Sequence, residues 1–347
     1  MRRSSIFETI LGFSLLWTLA GCSDSVVRPD PRDVATLGVA NSAPLAEATP
    51  RDLEIIGGSA NGINDAGAVA GHVVTTSQIR AFVWTPQEGM QELIVGPGNA
   101  HATDIDNGGM VVGCTDEPRA FIWSAGAGFR DLGTLGGSYA CALGMNNKGD
   151  VVGYSFTETG AMRAFIWSAT RGMRDLGALA EGASSAHDVN EKGEVVGYSE
   201  TTPGEHHAFL WTEAEGMRDL GTLGGSMSFA YGINDRGQIA GFAQTPEGPF
   251  HAVLWTPGAD IRDLGTLGGS ESAAQDINER GEITGYSRIA GDSHDRAFLW
   301  TEADGMRELR GLGDNLHGAG LAINKRGQVA GYSQPAENEN RATVWDR

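Results

Sequence analysis

The sequence predicts an all-β fold, a closed seven-bladed β-propeller with four short strands in each blade. Three observations predict it: the composition, a unit that recurs seven times, and the points at which the repetition starts and stops. The 347 residues include 51 glycines, and 40% are hydrophobic, which suits a core built from strands and turns. Length alone would allow two or three domains, so the repetition decides the architecture.

Two markers give the same number of repeats. One is a tryptophan series with steps of 39, 44, 44, 44, 45 and 45 residues, at Trp84, Trp123, Trp167, Trp211, Trp255, Trp300 and Trp345. The other is the pattern Ile-Asn-x-x-Gly-x-Val-x-Gly, which ends at Gly71, Gly113, Gly153, Gly197, Gly241, Gly285 and Gly331. Seven units of this length indicate a propeller, and a parallel β-solenoid is the alternative.

Each unit contains four predicted strands, A to D, and unit five shows them well. They are SFAYGIN ending at Asn234, QIAGF at 238–242, HAVLW at 251–255 and IRDLGTL at 261–267. Between strands A and B, the Asn234 side chain is expected to bond to nearby backbone, while Gly237 supplies a left-handed residue. The connection from A to B is therefore predicted to be a tight hairpin.

The phase of the repeats separates a closed ring from an open solenoid. The first strand D, Arg51 to Ile56, precedes the first strand A, and the chain stops just after the last strand C at Trp345. Pairing the two ends completes blade seven, so residues 51–347 form one ring without sheet edges left over. Strand A would then lie innermost, which suits its small residues, and the tryptophans of strand C would belong to the core.

A base opens every strand C, and an acid stands in every strand D. The bases are Arg80, Arg119, Arg163, His207, His251, Arg296 and Arg341, and the acids are Asp52, Glu92, Asp131, Asp175, Asp219, Asp263 and Glu308. Because alternate residues of a strand point to opposite faces, the positions of the base and the acid place both side chains on one face of the C–D hairpin. There they are close enough for a diagonal contact between the two strands. We expect structural pairs that fix the register, with a ligand-binding ring of charges as the alternative.

Loop lengths predict where a partner binds. The A–B and C–D turns have constant length, whereas the distance from the last glycine to the tryptophan across the B–C loop varies from 10 to 15 residues. In an up-and-down blade, the B–C and D–A loops share one face of the disc, here called the variable face, and the A–B and C–D turns form the constant face. Binding residues are expected on the variable face, namely Glu158, Glu200, Glu205, His206, Phe250, Arg288, Asp292, His294, Asp314, Asn315 and His317.

The N-terminus has the layout of an export signal. Arg2 and Arg3 precede an apolar stretch that is too short for a transmembrane span. The run from Leu19 to Cys22 resembles the lipobox of bacterial lipoproteins, which implies a signal peptide over 1–21, acylation of Cys22, and an outer-membrane or surface location. An ordinary secretory signal, with a periplasmic or secreted protein, is the alternative. Residues 22–50, rich in Pro, Ala, Ser and Asp, are predicted to be a flexible tether.

The repeat unit itself resembles the HAF repeat of predicted extracellular bacterial proteins. His207, Ala208 and Phe209 match the tripeptide that names it, and Asp219 to Gly225 match its DLGTLGG segment. Most other units have Arg in place of His, and unit five has Val253 in place of Phe. The resemblance covers residues 51–347 and implies export, but it carries over no functional residues.

Several chemistries find no support in the sequence. The formal net charge of −19 disfavours nucleic acid and anionic lipid. The eight histidines lack metal-site or triad spacing, and the GGS runs lack the lysine of a phosphate loop. No cofactor or metal is therefore expected, and the membrane is reached only through the lipid.

The remaining cysteines and the function leave alternatives open. Cys114 and Cys141 fall in adjacent blades and are either a disulfide or two buried thiols. The protein is expected to be a monomeric scaffold that binds a protein or glycan partner at the cell envelope. The alternative is a polysaccharide hydrolase or lyase with a pair of carboxylates on the variable face.

Overall fold

The computed structural model describes residues 48–96, 98–117, 119–291, 294–313, 317–337 and 339–347. In this part of the chain, 28 strands form seven antiparallel sheets of four strands, and the predicted propeller is confirmed. No helix among these residues has the length and apolarity needed to cross a membrane. Cys22, the predicted signal peptide and the predicted tether up to residue 47 lie outside the described residues. Thr49 and Pro50, the last residues of the predicted tether, already belong to the first strand.

The blades follow one another along the chain, and each takes its strands in the order A to D from the channel outward. The chain begins with β1 (Thr49–Ile56). Blade one has β2 (Gly58–Ile63), β3 (Val69–Val74), β4 (Ile79–Thr85) and β5 (Gly89–Glu92); blade two has β6 (Ala100–Ile105), β7 (Val111–Thr115), β8 (Arg119–Ser124) and β9 (Gly128–Asp131). Blade three has β10 (Gly136–Met145), β11 (Val151–Thr157), β12 (Met162–Ser168) and β13 (Gly172–Asp175); blade four has β14 (Ser184–Val189), β15 (Val195–Thr202), β16 (Glu205–Thr212) and β17 (Gly216–Asp219).

The last three blades repeat this plan. Blade five has β18 (Ser228–Ile233), β19 (Ile239–Gln244), β20 (Phe250–Trp255) and β21 (Arg262–Asp263); blade six has β22 (Gly268–Ile277), β23 (Ile283–Ile289), β24 (Asp295–Thr301) and β25 (Gly305–Glu308). Blade seven has β26 (His317–Ile323), β27 (Val329–Ala336) and β28 (Glu339–Asp346), and its fourth strand is β1. The chain's first strand therefore closes the ring, as the phase of the repeats predicts.

Strand D is shorter than its sequence suggests. In blade five it ends at Asp263, whereas the hydrophobic pattern predicts a strand to residue 267. The Asp263 carboxylate accepts a hydrogen bond from the amide of Gly265 at 2.7 Å, and this turn stops the strand. The same carboxylate lies 2.8 Å from Nδ1 of His251, so one aspartate both ends strand D and holds the base of strand C.

Six of the seven predicted pairs between strands C and D form. They are Arg80–Glu92, Arg119–Asp131, His207–Asp219, His251–Asp263, Arg296–Glu308 and Arg341–Asp52. In blade three the prediction is wrong, because Arg163 instead donates to the carbonyl oxygens of Glu181 and Gly182. Both carbonyls belong to the D–A loop between blades three and four, so the guanidinium bonds to the backbone of that loop and not to Asp175.

Each blade has its core at the interface with the next blade. Phe121, for example, is fully buried among Ala70 and Ala81 of blade one and Val111 of its own blade. The tryptophans of blades three to seven are buried as predicted, whereas Trp84 and Trp123 are partly exposed. Arginines of strand D cover several of these rings, as Arg174 does over Trp211 at 5.0 Å.

The asparagine that opens each A–B turn also joins neighbouring blades. Oδ1 of Asn234 accepts the amides of Arg236 and Gln238 within its own turn, which confirms the predicted hairpin. Its Nδ2 donates to the carbonyl oxygen of Asn278 in the next blade at 3.1 Å. Six such bonds link consecutive blades, from Asn64, Asn146, Asn190, Asn234, Asn278 and Asn324.

Blade two breaks this ring of bonds. Asp106 replaces the asparagine there, and an ionised carboxylate has no N–H to donate to Asn146 of blade three. The same two blades are joined covalently, because the structure contains a disulfide between Cys114 in β7 and Cys141 in β10, with the Cα atoms 4.8 Å apart. The disulfide therefore crosses the interface that lacks the asparagine bond.

Candidate functional site

The two faces of the disc differ in where the chain enters and leaves. Thr49 pairs with Asp346, and Ile56 pairs with Arg341 near the start of β28. Strand β1 thus runs from the constant face to the variable face, while β28 runs back. The described part of the chain therefore begins and ends on the constant face.

The structure places eight of the eleven candidate binding residues at the variable-face ends of strands or in the loops between them. These eight are Glu158, Glu200, Glu205, His206, Phe250, Arg288, His294 and His317. Asp292, Asp314 and Asn315 lie outside the described residues. The eight form two groups and an outlier: Glu200, Glu205, His206 and Phe250 in blades four and five, Arg288, His294 and His317 in blades six and seven, and Glu158 in blade three.

The acidic candidates in blade four help to shape their own loop. Glu200 accepts the amides of Gly204 at 2.9 Å and Ala183 at 3.2 Å, and these hydrogen bonds lower its pKa. Glu205 accepts a hydrogen bond from the hydroxyl of Thr202 at 2.7 Å. A general acid needs a raised pKa, so Glu200 does not suit the acid role that the hydrolase alternative requires.

The candidates in blades six and seven are a paired arginine and two neighbouring histidines. Arg288 lies between two carboxylates, 3.0 Å from Glu271 and 3.8 Å from Asp295. The rings of His294 and His317 approach with their centroids 4.9 Å apart. No group of three or more metal-ligating side chains occurs among the described residues.

His206 and Phe250 belong to a larger set of aromatic rings between blades four and five. Phe229 lies at its centre, with ring centroids 5.1 Å from Tyr198, 5.0 Å from Phe242, 5.9 Å from His206 and 6.3 Å from Phe250. Towards the channel, His187 and Tyr231 extend the set, 4.4 Å apart. We call these seven half-buried rings the aromatic cluster: His187, Tyr198, His206, Phe229, Tyr231, Phe242 and Phe250.

The aromatic cluster breaks the sevenfold repetition. Two of its positions are aromatic only in blades four and five: the position directly before the base of strand C, occupied by His206 and Phe250, and the position after the innermost alanine of strand A, occupied by His187 and Tyr231. Other blades have residues such as Met162, Asp295 or Asn340 at the first of these. A feature that the fold required would recur in every blade, so this one points to function.

The burial of the two cluster histidines keeps them neutral. Loss of hydration lowers the pKa of His187 to about 4. Burial also lowers the pKa of His206, although the nearby Glu200 opposes the shift. Both imidazoles therefore present neutral rings at neutral pH. The adjacent His207 points to the other face of β16, where it meets Asp219.

Charge separates the two faces as well. Apart from the bases that open each strand C, the described residues in the loops and at the strand ends of the variable face include only two lysine or arginine residues, Arg288 and Arg310. The acids there are Glu54, Asp116, Glu117, Glu158, Glu181, Glu200, Glu205, Glu247, Glu271, Asp295, Glu337 and Glu339. On the constant face, acids and bases are nearly equal in number. Most of the protein's excess negative charge therefore lies on the variable face.

The constant face contains a cavity of about 420 Å³ at the mouth of the central channel. All seven blades line it with the turn asparagines or Asp106, the residues that follow them, and an apolar ring that includes Ile63 and Ile233. Polar groups of these residues form hydrogen bonds between neighbouring blades. The backbone amide of Glu191, for example, donates to the carboxylate of Asp235 in the next blade at 2.9 Å. We therefore interpret this cavity as part of the frame that holds the blades together.

Three aspartates border the central channel further inside than this cavity, each two residues before the residue that opens the A–B turn. Asp104, Asp188 and Asp276 alternate around the ring with small residues of the intervening blades, which are Gly62, Gly144, Gly232 and Ala322. Asp188 accepts the amide of its neighbour Val189 at 2.7 Å and that of Ile233 in the next blade at 2.8 Å. A Cβ on Gly232 would lie 2.9 Å from Cα of Asp276, so the alternation provides the room that each aspartate needs.

The channel environment keeps these aspartates partly protonated. Burial raises the pKa of Asp104 to about 6 and that of Asp188 to about 7, where repulsion from Asp104 adds to the effect. Burial and the charge of Asp188 place the pKa of Asp276 well above its usual value. The hydrogen bonds from backbone amides oppose these shifts without cancelling them.

The raised pKa of Asp188 predicts a specific pH dependence of stability. An unfolded aspartate titrates near pH 4, so this residue's contribution is complete below about pH 4 and is lost as the pH rises through about 7. Urea denaturation of the wild type and of Asp188→Asn should give a difference in unfolding free energy that declines between pH 4 and 7. The exposed control Asp260→Asn should show no comparable decline; a constant difference for Asp188→Asn would contradict the prediction.

Most residues of the aromatic cluster are not among the binding residues predicted from the sequence. In every blade the register shifts after the innermost small residue of strand A, an alanine in six blades and Gly320 in blade seven. The shift between Ala230 and Gly232 is an example, and the residue between them bulges out of the ladder. The bulge residues are Asn61, Thr103, Leu143, His187, Tyr231, Gln275 and Leu321. A signal was present in the sequence, because this position of the repeat varies strongly while the position before it is alanine in six of the seven blades.

Comparison with known proteins supports the fold. No family model and no curated protein matches the chain. Among solved structures, virginiamycin B lyase from Staphylococcus aureus aligns over 87% of this chain and 99% of its own, with 11% identity and a TM-score of 0.57. The β-propeller domain of the Trilobed protease from Pyrococcus furiosus aligns over 84% and 96%, with 8% identity and a TM-score of 0.58. The BP39L lectin from Burkholderia pseudomallei aligns over 83% and 96%, with 8% identity and a TM-score of 0.52. At these identities the likeness shows the propeller fold alone.

Proposed function

We propose that the protein is an exported, lipid-anchored binding scaffold of the bacterial cell envelope, which holds a protein or glycan partner on its variable face. The observation that carries the proposal is the aromatic cluster, which occurs once in a sevenfold repeat and lies at the face with variable loops. Partly exposed aromatic rings supply large contact areas at low cost in conformational entropy. One solved propeller of similar fold is a lectin, so the frame is compatible with ligand binding.

The anchor and the binding face fit together in this proposal. The resemblance of residues 19–22 to a lipobox and of the repeat to the HAF family supports export and acylation of Cys22. Because β1 begins at Thr49 on the constant face, a tether leading to Cys22 joins the propeller on that side. In this proposal the partner is met at the outer membrane or cell surface.

Binding by the full chain tests the proposal. Detergent-purified protein would be applied to a glycan array and used as bait for envelope proteins, alongside the double variant His206→Ala and Phe250→Ala. Loss of two half-buried rings should weaken binding by at least about tenfold, which corresponds to about 1.4 kcal/mol. Met90→Ala, which truncates an exposed apolar residue of blade one, should bind like the wild type.

Two results would contradict the proposal. The first is a folded protein that binds nothing on the array or from the envelope. The second is a partner whose binding does not change when His206 and Phe250 are truncated, since the cluster would then lie outside the interface. Circular dichroism of each variant would show that the propeller is intact.

A further inference from the structure

We propose that the aromatic cluster receives a basic segment of a partner protein, with lysine or arginine side chains placed over its rings. This inference rests on the proposed function and narrows it to one class of partner. It is carried by two features that coincide in space: neutral, half-buried aromatic rings, and flanking loops whose charge is entirely negative.

The rings offer the contact that a cation prefers. Phenylalanine, tyrosine and neutral histidine carry negative charge on their ring faces, and a lysine or arginine above such a face gains about 0.5–2 kcal/mol. Tyr198, Phe229 and Phe242 contact one another from blade four to blade five, with neighbouring centroids 5.1 and 5.0 Å apart and ring planes inclined by 68° and 31°. A basic side chain seated at this interface would contact more than one ring.

The surrounding loops lack any internal cation to meet their acids. Glu200 and Glu205 flank His206 in the B–C loop of blade four, and Glu247 precedes Phe250 in that of blade five. Neither of these loops, nor the D–A loop between residues 220 and 227, contains lysine or arginine. In contrast, the acids of the constant face have bases nearby, as in the Arg174–Glu213 pair at 2.5 Å. The charges around the cluster are thus available to a basic partner.

The same charges argue against anionic partners. An acidic polysaccharide or an anionic lipid headgroup would meet a face with many acids and few bases, and like charges at an interface cost several kcal/mol. A neutral glycan could stack on the rings, but it would make no use of the acids. Long-range attraction to the acidic face would also speed the approach of a basic segment at low salt.

A pair of peptides tests the inference on the full chain. A fluorescent peptide of alternating lysine and glycine would be titrated with protein, in parallel with the same peptide acetylated on every lysine, at low and at near-physiological salt. We expect the lysine peptide to bind at least about tenfold more tightly than the acetylated one, and its affinity to fall as salt rises.

Four variants separate a seated cation from general attraction to an acidic protein. Phe250→Ala and the double variant Glu205→Gln and Glu247→Gln should each weaken binding of the lysine peptide several-fold. Met90→Ala and Glu215→Gln, an exposed residue in the C–D turn of blade four, should not change it. Equal binding of the two peptides, or an affinity that Phe250→Ala leaves unchanged, would overturn the inference.

The outcome also distinguishes this inference from the proposed function. If neutral glycans bind through the cluster and the lysine peptide does not, the inference fails while the binding scaffold stands. If a folded protein binds neither peptides, glycans nor envelope proteins, both fail.

Discussion

A chain that starts at residue 57 should fail to form a stable propeller, whereas a chain that starts at residue 48 should fold like the full protein. Removing β1 leaves β28 with an unpaired edge and takes away two buried side chains, Leu53 and Ile55, which are 5% and 4% exposed. Their burial alone contributes about 3–6 kcal/mol. Small domains have a total stability of about 5–15 kcal/mol, so the loss is of the same order as the whole.

Circular dichroism and size-exclusion chromatography of the two truncated chains would measure this effect. The chain from residue 57 should aggregate or lack a cooperative thermal transition. Moving residues 48–56 to the C-terminus through a flexible linker should restore folding, because the same strand would again complete blade seven. A chain from residue 57 that melted at the wild-type temperature would show that three strands suffice in this blade.

Gly113→Ala should destabilise the protein by about 3 kcal/mol or more. A Cβ at this position would lie 2.0 Å from the carbonyl oxygen of His101 and 2.9 Å from Cζ of Phe121. The first atom belongs to the paired strand β6, and the second to a fully buried ring. Neither can move without repacking the interface between blades one and two, and overpacking of this kind typically costs 1–3 kcal/mol and occasionally more.

Gly126→Ala provides the matched control within the same blade. Gly126 lies exposed in the C–D turn, and a Cβ there would meet nothing within 4 Å. Its replacement should change the unfolding free energy by no more than about 0.5 kcal/mol. Urea denaturation would compare the two variants, and similar stabilities would mean that the strands of blade two separate enough to admit a methyl group.

The sequence was sufficient to predict the ring because repetition supplies many copies of the same local information. The hairpin at Asn234, the closure by β1 and most of the pairs between strands C and D all follow from position within the repeat. The end of strand D did not, since the turn made by Asp263 interrupts a pattern that continues to Leu267. Local hydrogen bonding prevailed over the hydrophobic pattern there.

The binding surface could be predicted only in part. Loop lengths identify a face, and His206 and Phe250 stand on it, but the cluster that joins them depends on contacts between blades. Phe229 meets Tyr198 across such an interface, and Tyr231 reaches His187 because a bulge turns both side chains out of the ladder. Neither the spacing of residues nor the length of loops reveals which positions of one repeat contact which positions of the next.

The interrupted ring of asparagine bonds leaves one blade interface sensitive to the redox state of its surroundings. Six blade interfaces have an asparagine hydrogen bond that no thiol reagent affects. The interface between blades two and three has Asp106 in place of the asparagine donor and contains the Cys114–Cys141 disulfide. In an oxidising compartment this interface is covalently linked. Under reducing conditions it has neither of these two links and keeps only weaker contacts such as the hydrogen bond from the hydroxyl of Thr103 to the carbonyl oxygen of Ala142 at 3.0 Å.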